Sequence, residues 1–316
     1  MERPDRPDAP EGLEDRPGPF LALTGPTGVG KTALSLALAE RVGAEIVSCD
    51  SRQVYRGMDV GTAKPTPEER ARVPHHFIDE RNLSEPWSAG AFADEANRRI
   101  REILSRGRVP LVVGGSTLYL DALVHGIADV PKASAELRDA LSQEALTPEG
   151  RQRLYDELAA ADPETAATLD PTKSQRLVRA VEVLRTTGLP RAAFLARQAP
   201  SLFHWQVTVL TRPRGELYAR INARVDAMLA DGLVDEVARL IALGYRTDEN
   251  PLRTIGYQEP GAYLAGALDY DEMVRLLKQN SRRYAKRQLT WFRRSPAYRW
   301  IDLSVTAADE VIFGFQ

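Results

Sequence analysis

The chain has few of the residues that build disulfides and zinc sites. Its 316 residues include one cysteine, Cys49, and four histidines. A single cysteine excludes a disulfide within the chain, and cysteine and histidine do not recur at the spacing of a zinc site. The sequence also lacks a run of ~18 apolar residues, which a membrane span needs, and an apolar signal segment at its start. We therefore expect a cytoplasmic protein without a membrane partner.

Acidic residues are absent from one long segment, residues 275–299. The formal net charge of the chain is −2, yet this segment holds nine Lys or Arg residues and no Asp or Glu. Tyr284, Trp291, Phe292 and Tyr298 are interleaved with these cations. Such a mixture is typical of a nucleic-acid groove, because cations neutralise phosphates and rings stack on bases. A solvated helix face with its aromatic side chains turned to the core would have the same composition, so both interpretations stay open here.

Apolar strand patterns alternate with helical patterns in the first part of the chain. The strands are FLALTG, AEIVSCD and VPLVVGGS, and a helical pattern separates each from the next. This order predicts the α/β class, as a P-loop NTPase-like parallel sheet core with helices on both faces. Residues 130–203 show helical patterns only, which indicates an all-helical insertion domain.

The predicted organisation has four parts. Residues 1–19 combine five prolines with charges and should form a disordered tail. Residues 20–129 form the first segment of the P-loop core, and residues 204–316 continue it and end in basic helices. The helical insertion domain, residues 130–203, lies between these two segments.

The segment GPTGVGKT, residues 25–32, has the spacing of a P-loop and lies between a strand and a helix pattern. In such a loop, backbone N–H groups at the positive start of a helix bind a phosphate. Lys31 adds a mobile charge, and the Thr32 hydroxyl ligates Mg²⁺. The sequence therefore predicts a phosphate site with Mg²⁺ as cofactor. Its residues are Gly25, Pro26, Thr27, Gly28, Val29, Gly30, Lys31 and Thr32.

The acid that nucleoside triphosphatases of this class place at the end of a neighbouring strand is missing. The strand pattern PLVVGGS ends in Gly114 and Gly115 instead, and no Asn-Lys-x-Asp motif for guanine is present. Asp50 is the acid that ends an apolar strand close to the P-loop. Triphosphate hydrolysis is thus poorly supported, although phosphate binding is well supported.

Seven motifs, in order between about Phe20 and Asp302, resemble those of the tRNA dimethylallyltransferase family. They are GPTGVGKT, VSCDSRQVYRGMDVGTAKP, VPHHFID, LVVGGSTLYL, DPTKSQRLVRAVEV, LRTIGYQE and YAKRQLTWFRR. The resemblance implies that the P-loop holds the diphosphate of dimethylallyl diphosphate. It further implies transfer of the prenyl group to N6 of adenine 37, in tRNAs that read codons starting with U.

The chemistry of that reaction favours Asp50 as general base. An exocyclic adenine amine is a poor nucleophile, so a carboxylate that accepts its proton assists the attack. A second-sphere contact to Mg²⁺ and a helix cap are the alternatives for Asp50. Lys31 would stabilise the charge that develops on the departing diphosphate.

Further roles follow from the resemblance alone. It implies that Arg224 and Arg220 reach the diphosphate and that the Thr27 hydroxyl contacts the substrate. Ser116 stands where the family usually has threonine, and it would position the base, cap a helix, or do both. The predicted catalytic set is Asp50, Ser116, Lys31 and Arg224.

The resemblance also implies that the anticodon stem-loop of tRNA binds to this chain and that the target base is flipped out of the stack. Loop bases are read by stacking and along their edges, which suits Gln53, Gln175 and Tyr257 beside arginines. The residues expected at the tRNA are Asp50, Ser51, Arg52, Gln53, Ser116, Arg138, Gln175, Arg176, Leu177, Val178, Arg179, Arg253, Thr254, Ile255, Gly256, Tyr257, Gln258, Arg282, Arg283, Lys286 and Arg287.

Three other functions are compatible with a P-loop. A small-molecule kinase would need no basic segment, and an RNA-binding nucleotide switch would need a guanine-reading motif. A transferase that prenylates free AMP or ADP would need no long helical insertion. We expect the chain to act as a monomer, because nothing in the sequence demands a second copy.

Overall fold

The structure is a computed structural model that describes residues 19–126, 133–170, 172–195, 201–307 and 310–311. The predicted tail, residues 1–19, lies outside these ranges except for position 19. Six strands lie in the described part: β1 (Phe20–Thr24), β2 (Ala44–Ser48), β3 (His75–His76), β4 (Val109–Gly114), β5 (Trp205–Thr211) and β6 (Arg299–Asp302).

Thirteen helices occupy the same described ranges. They are α1 (Lys31–Val42), α2 (Pro67–Arg72), α3 (Ala89–Ser105), α4 (Thr117–His125), α5 (Ala135–Glu144), α6 (Pro148–Ala161), α7 (Pro163–Thr168), α8 (Ser174–Thr187), α9 (Arg191–Leu195), α10 (Arg214–Ala230), α11 (Leu233–Ala242), α12 (Gln258–Leu264) and α13 (Tyr270–Phe292). None of these helices is both long and apolar enough to span a bilayer.

The six strands form one parallel sheet in the order β3-β2-β4-β1-β5-β6. Successive side chains of a strand point to opposite faces, so each central strand contributes to two apolar clusters. Ala22 of β1 packs in the cluster that contains α3, and Leu23 packs in the cluster that contains α1. The predicted parallel sheet with helices on both faces is confirmed.

The chain divides into two compact units. The larger unit combines residues 1–124 and 202–316 and contains the sheet; the smaller unit is residues 125–201. The described part of the smaller unit is helical and has its own core, formed around Leu141, Leu154 and Leu177. Its boundaries lie within a few residues of the predicted insertion, residues 130–203.

Parallel pairing brings the functional loops together. The carboxyl ends of parallel strands meet at one edge of a sheet, which is where α/β folds bind their ligands. The P-loop follows β1, Asp50 follows β2, and Gly115 follows β4, and these three strands are neighbours in the sheet. Three segments that are distant in the sequence therefore converge at this edge.

Candidate active site

A cavity of about 950 Å³ lies at this edge, within the larger unit. The four residues predicted to act in catalysis, Asp50, Ser116, Lys31 and Arg224, all line it. Further wall segments come from α10, from residues 254–257 and from α13. The folded chain thus brings a carboxylate, a hydroxyl and two cationic side chains into one cavity.

Close contacts require glycine at two positions of the P-loop. Gly25 has a φ of 148°, and a Cβ there would lie 2.6 Å from the carbonyl oxygen of Leu210. Gly28 has a φ of 80°, and a Cβ there would lie 2.9 Å from Cγ1 of Ile221. Any larger residue would push the loop away from β5 and α10.

The P-loop residues divide between the cavity and the interior. Thr27, Gly28, Gly30, Lys31 and Thr32 line the cavity, as expected for a phosphate site. Val29 is instead fully buried in the apolar cluster around α1, so its side chain serves packing. The predicted role of Val29 is therefore limited to its backbone.

The side chain of Lys31 is bound by carbonyl groups of the P-loop itself. Its Nζ donates to the carbonyl oxygens of Gly25 at 2.9 Å and Pro26 at 3.0 Å. The pKa of Lys31 is lowered to about 7, chiefly by burial and also by the nearby Arg224, while Asp50 opposes the shift. Burial also lowers the pKa of Arg224 below its ordinary value, again opposed by Asp50. Two partly desolvated cations in one cavity favour an anionic ligand.

The carboxylate of Asp50 is oriented by the turn that follows it. Its Oδ1 accepts from the amides of Arg52 at 2.8 Å and Gln53 at 3.3 Å. The amide of Ser51, the residue directly after Asp50, donates to Oγ of Ser116 at 3.0 Å. Ser116 therefore fixes the turn that carries Asp50, which agrees with a positioning role for its hydroxyl.

The packing at Gly114 explains why no acid follows β4. A Cβ at this position would lie 2.0 Å from the carbonyl oxygen of Cys49, which is far inside contact distance. The end of β2 thus excludes any side chain at the position where a triphosphatase would carry its metal-binding acid.

Sequence reasoning missed Gln288 of α13, which joins two loops of the cavity. Its Oε1 accepts from the amide of Thr27 at 2.9 Å, and its Nε2 donates to the carbonyl oxygen of Gly115 at 2.7 Å. The side chain is 3% exposed. Gln288 lies in the motif YAKRQLTWFRR, but nothing local distinguishes it from a surface glutamine of a helix.

Two arginines hold the P-loop from α10 and from the end of β5. Arg220, predicted at the diphosphate, donates from Nε to the carbonyl oxygen of Gly28 at 2.9 Å. Arg212, which the sequence did not single out, donates from Nε to the carbonyl oxygen of Val29 at 2.9 Å. Both contacts are made to backbone oxygens, so each arginine stabilises the conformation of the loop.

The cavity and its fold can be compared with known proteins. The sequence pattern of the IPP transferase family matches residues 53–295. This match covers most of the chain. The chain belongs to the IPP transferase family.

Individual relatives agree with this assignment. The tRNA dimethylallyltransferase of Salinibacter ruber is 55% identical over 299 residues, which is 94% of this chain and 92% of the relative. The crystal structure of a tRNA isopentenylpyrophosphate transferase from Bacillus halodurans has a TM-score of 0.69 and 42% identity, and the similarity covers 94% of each chain. A eukaryotic dimethylallyltransferase that acts on tRNA has a TM-score of 0.79 and 28% identity, over 93% of this chain and 77% of that one.

In this IPP transferase, the basic segment 275–299 is partly paired and partly exposed. Arg275 pairs with Glu272 and Lys278 with Asp226, so acids outside the segment compensate two of its charges. Arg283, Lys286 and Arg287 are exposed on α13. The aromatic residues divide as well, because Phe292 is fully buried while Arg294 lies over the Trp291 ring at 4.7 Å. Phe292 thus fits the interpretation of aromatic residues turned to the core, while nucleic-acid binding by the exposed cations stays a prediction.

Four residues predicted at the tRNA are buried, among them Ser116, which is 7% exposed and lines the cavity. Leu177 and Tyr257 are each 0% exposed, and Gly256 is buried beside Tyr257. The Tyr257 hydroxyl donates to Oε1 of Glu236 at 2.7 Å. Tyr257 borders the cavity but its side chain is fully buried, so the expectation that it stacks on a base or reads its edge stays a prediction.

Other predicted tRNA contacts are engaged within the protein. Nε2 of Gln53 donates to the carbonyl oxygens of Thr62 and Ala63, each at 3.2 Å. Arg282 donates to Oδ1 of Asn222 at 2.6 Å. The carboxamide of Gln53 thus supports the cavity wall, a role that the sequence did not indicate.

In the smaller unit, Arg138 and Arg179 both pair with Glu182, at 2.9 and 2.7 Å. Each arginine keeps about half of its side chain exposed, at 54% and 51%. Gln175 and Arg176 are exposed. The placement of these residues is compatible with RNA contacts, which stay predictions.

Proposed function

We infer that this chain transfers a dimethylallyl group from dimethylallyl diphosphate to N6 of adenine 37 of tRNA, releasing diphosphate. The observation that carries this inference is the shared cavity of the P-loop and Asp50, in a chain that is 55% identical to a tRNA dimethylallyltransferase. The loop offers anion-binding amides and Lys31, while the carboxylate offers a proton acceptor.

The reaction exchanges one bond for another. As the C1–O bond of the donor breaks, its electron pair leaves with the diphosphate, and the N6 lone pair forms the new bond to C1. The N6 proton passes to the Asp50 carboxylate, whose Oδ1 is held by two backbone amides. Lys31 and Arg224 stabilise the charge that grows on the leaving diphosphate.

Mg²⁺ is proposed as cofactor on the chemistry of the available ligands. Among the described residues, no cluster of three His, Cys, Asp or Glu side chains could hold a metal. Mg²⁺ typically takes few protein ligands and completes its shell with phosphate oxygens and water, which fits the Thr32 hydroxyl in the cavity. When bound, the ion would neutralise charge on the diphosphate.

For the tRNA, we propose that exposed arginines and lysines of α13 and α8 contact the phosphates of the anticodon stem-loop. Arg283, Lys286 and Arg287 carry this role in the larger unit, and Arg176 carries it in the smaller unit. We further propose that the enzyme acts as a monomer in the cytoplasm, where its tRNA substrate is found.

One assay tests the function. The protein is incubated with Mg²⁺ and labelled dimethylallyl diphosphate, together with either an anticodon stem-loop that has adenine at positions 36 and 37 or free AMP. We expect label in the stem-loop. Label in AMP alone would replace the proposal with nucleotide prenylation, and ATP consumption without prenyl transfer would replace it with a kinase.

A further inference from the structure

A buried carboxylate outside the predicted catalytic set, that of Glu236, gathers four hydrogen-bond donors. Its Oε2 accepts from the amides of Asp59 at 3.0 Å and Val60 at 2.8 Å. Its Oε1 accepts from the amide of Gly61 at 3.1 Å and from the Tyr257 hydroxyl at 2.7 Å. Glu236 is 2% exposed and lies in the first turns of α11. Three consecutive amides and a phenol thus satisfy one buried charge, which would be costly to leave unpaired.

The amides belong to a loop that forms part of the cavity wall. We call residues 59–63 the wall loop, and Gly61, Thr62 and Ala63 of this loop line the cavity. The Tyr257 ring presses on it, because a Cβ at Gly61 would lie 2.6 Å from Cε2 of Tyr257. The wall loop is therefore held by Glu236 through its amides and by Tyr257 through packing.

Gln53 connects the wall loop to the catalytic carboxylate. Its Nε2 donates to the carbonyl oxygens of Thr62 and Ala63, and its Oε1 accepts from Oγ of Ser48 at 3.1 Å. The backbone amide of the same residue donates to Oδ1 of Asp50 at 3.3 Å. Hydrogen bonds, together with the backbone of the wall loop and Gln53 itself, thus connect Glu236 to Asp50.

We propose that Glu236 is a positioning residue for the transfer reaction: it fixes the wall loop and, through Gln53, the orientation of the Asp50 carboxylate. This inference rests on the function proposed above. Losing this support should lower kcat more than it raises the KM of either substrate, because small displacements of a catalytic group slow the reaction steeply. We expect a loss in kcat of roughly 10- to 100-fold.

Glu236→Gln is the direct variant. Glutamine has the same shape, but its NH₂ group faces donors, so at least one of the four loses its acceptor. Glu259→Gln is the matched control. Glu259 is 6% exposed and accepts from the amide of Gly256 at 3.0 Å and from Nδ2 of Asn280 at 2.8 Å, and among the described residues it makes no hydrogen bond to the wall loop.

The kinetic test is a double-mutant cycle with Gln53→Ala, measured as kcat at saturating donor and stem-loop. If Glu236 acts through Gln53, the fold-loss in kcat of the double variant Glu236→Gln/Gln53→Ala will be smaller than the product of the two single-variant fold-losses. For the control pair, the fold-loss in kcat of the double variant Glu259→Gln/Gln53→Ala should equal the product of the two single-variant fold-losses. Independent, multiplying effects of Glu236→Gln and Gln53→Ala would overturn the proposal, whatever the stability of the variants.

The second readout is amide hydrogen exchange, which does not depend on activity. Glu236→Gln should accelerate exchange at residues 59–63, and Glu259→Gln should leave that segment unchanged. Unchanged exchange at the wall loop in Glu236→Gln would also overturn the proposal. A wild-type protein that prenylates no stem-loop would instead refute the proposed function, while the exchange pattern still decides whether Glu236 holds the loop.

Should Glu236→Gln fail to fold, Tyr257→Phe replaces it in both measurements. The ring and its packing on Gly61 are kept, and one donor to Glu236 is removed. We expect the same pattern with a smaller loss in kcat. Multiplying effects with Gln53→Ala and unchanged exchange at the wall loop would reject the proposal here as well.

Discussion

Glu236 of the larger unit and Glu182 of the smaller unit are buried carboxylates with different kinds of partner. In the larger unit, Glu236 is bound by three backbone amides and a phenol, and Asp50 by two amides. In the smaller unit, Glu182 is 3% exposed and pairs with two arginines that are about half exposed. Backbone donors have fixed directions, whereas exposed arginines can exchange one anion for another. Glu236 therefore fixes a loop of the cavity, whereas Arg138 and Arg179 are cations that we propose are offered to a polyanion.

The largest effect is expected from a change at Asp50, whose carboxylate is held by backbone amides in the larger unit. Asp50→Ala removes the proposed proton acceptor and should lower kcat roughly 10²- to 10⁴-fold, the usual contribution of a general base. Affinity for the tRNA stem-loop should change little, since the exposed cations stay in place. Single-turnover transfer and filter binding measure the two quantities. Normal turnover at saturation together with a strong loss of RNA affinity would contradict the assignment.

The second-largest effect is expected from Gln288→Ala, on donor affinity and on the free energy of unfolding. It leaves the amide of Thr27 and the carbonyl of Gly115 without their partner, which costs about 1 to 3 kcal/mol of unfolding free energy. The P-loop and the loop after β4 lose their link, so donor affinity should fall. Urea unfolding and binding of a non-reactive donor analogue measure both effects. Gln152→Ala, at an exposed position of α6, is the control, and equal effects of the two variants would contradict the proposed link.

The pKa of Lys31 predicts that binding of inorganic diphosphate, measured without Mg²⁺, is coupled to proton uptake. The free site lowers the pKa of Lys31 to about 7, chiefly by burial, so the amine is mostly neutral above that pH. A bound anion favours the protonated form and raises this pKa. Affinity should therefore fall as pH rises from about 7 to the raised pKa, by at most about tenfold per pH unit.

Calorimetry in buffers of different ionisation enthalpy measures the uptake. Lys31→Met is the reference, because the proton equilibria of diphosphate itself are the same in both proteins. We expect less proton uptake in the variant. Equal uptake by the two proteins would show that another group titrates.

The smallest effect is expected from a change at an exposed arginine of the smaller unit. Arg176→Ala should raise the KM for tRNA several-fold with little change in kcat, and should reduce the salt dependence of binding by about one phosphate contact. Arg153→Ala, at another exposed arginine of the smaller unit, is the control. A loss confined to kcat would assign Arg176 to the reaction and remove the distinction between the two units.

Sequence reasoning predicted the elements whose cause is local. The P-loop was recognisable because eight consecutive residues contain its whole conformation, and a strand and a helix flank it as the motif requires. The parallel sheet was predicted from the alternation of strand and helix patterns over β1, α1, β2, α3 and β4, because each pattern is formed by consecutive residues. The two-residue strand β3 was not predicted, because it is too short to show any periodicity.

The predicted site residues were less complete. Asp50 was found as the acid that ends a strand near the P-loop and Arg224 through the family resemblance, and both line the cavity. Tyr257 is predicted at the RNA because an aromatic residue beside arginines suits base stacking, and the contact of its hydroxyl with the buried Glu236 could not be read from that pattern. Composition shows which residues could contact a ligand, and burial decides which of them can.

The sequence by itself determined the family, the P-loop and the acid that stands near it, since each motif is formed by residues that are close along the chain. The tertiary structure alone decided that Gln288 bridges two loops, that Glu236 holds residues 59–61, and that Gly114 has no room for a side chain. These contacts join segments from different parts of the chain. Their energies depend on a distance of a few ångströms, which no local pattern encodes.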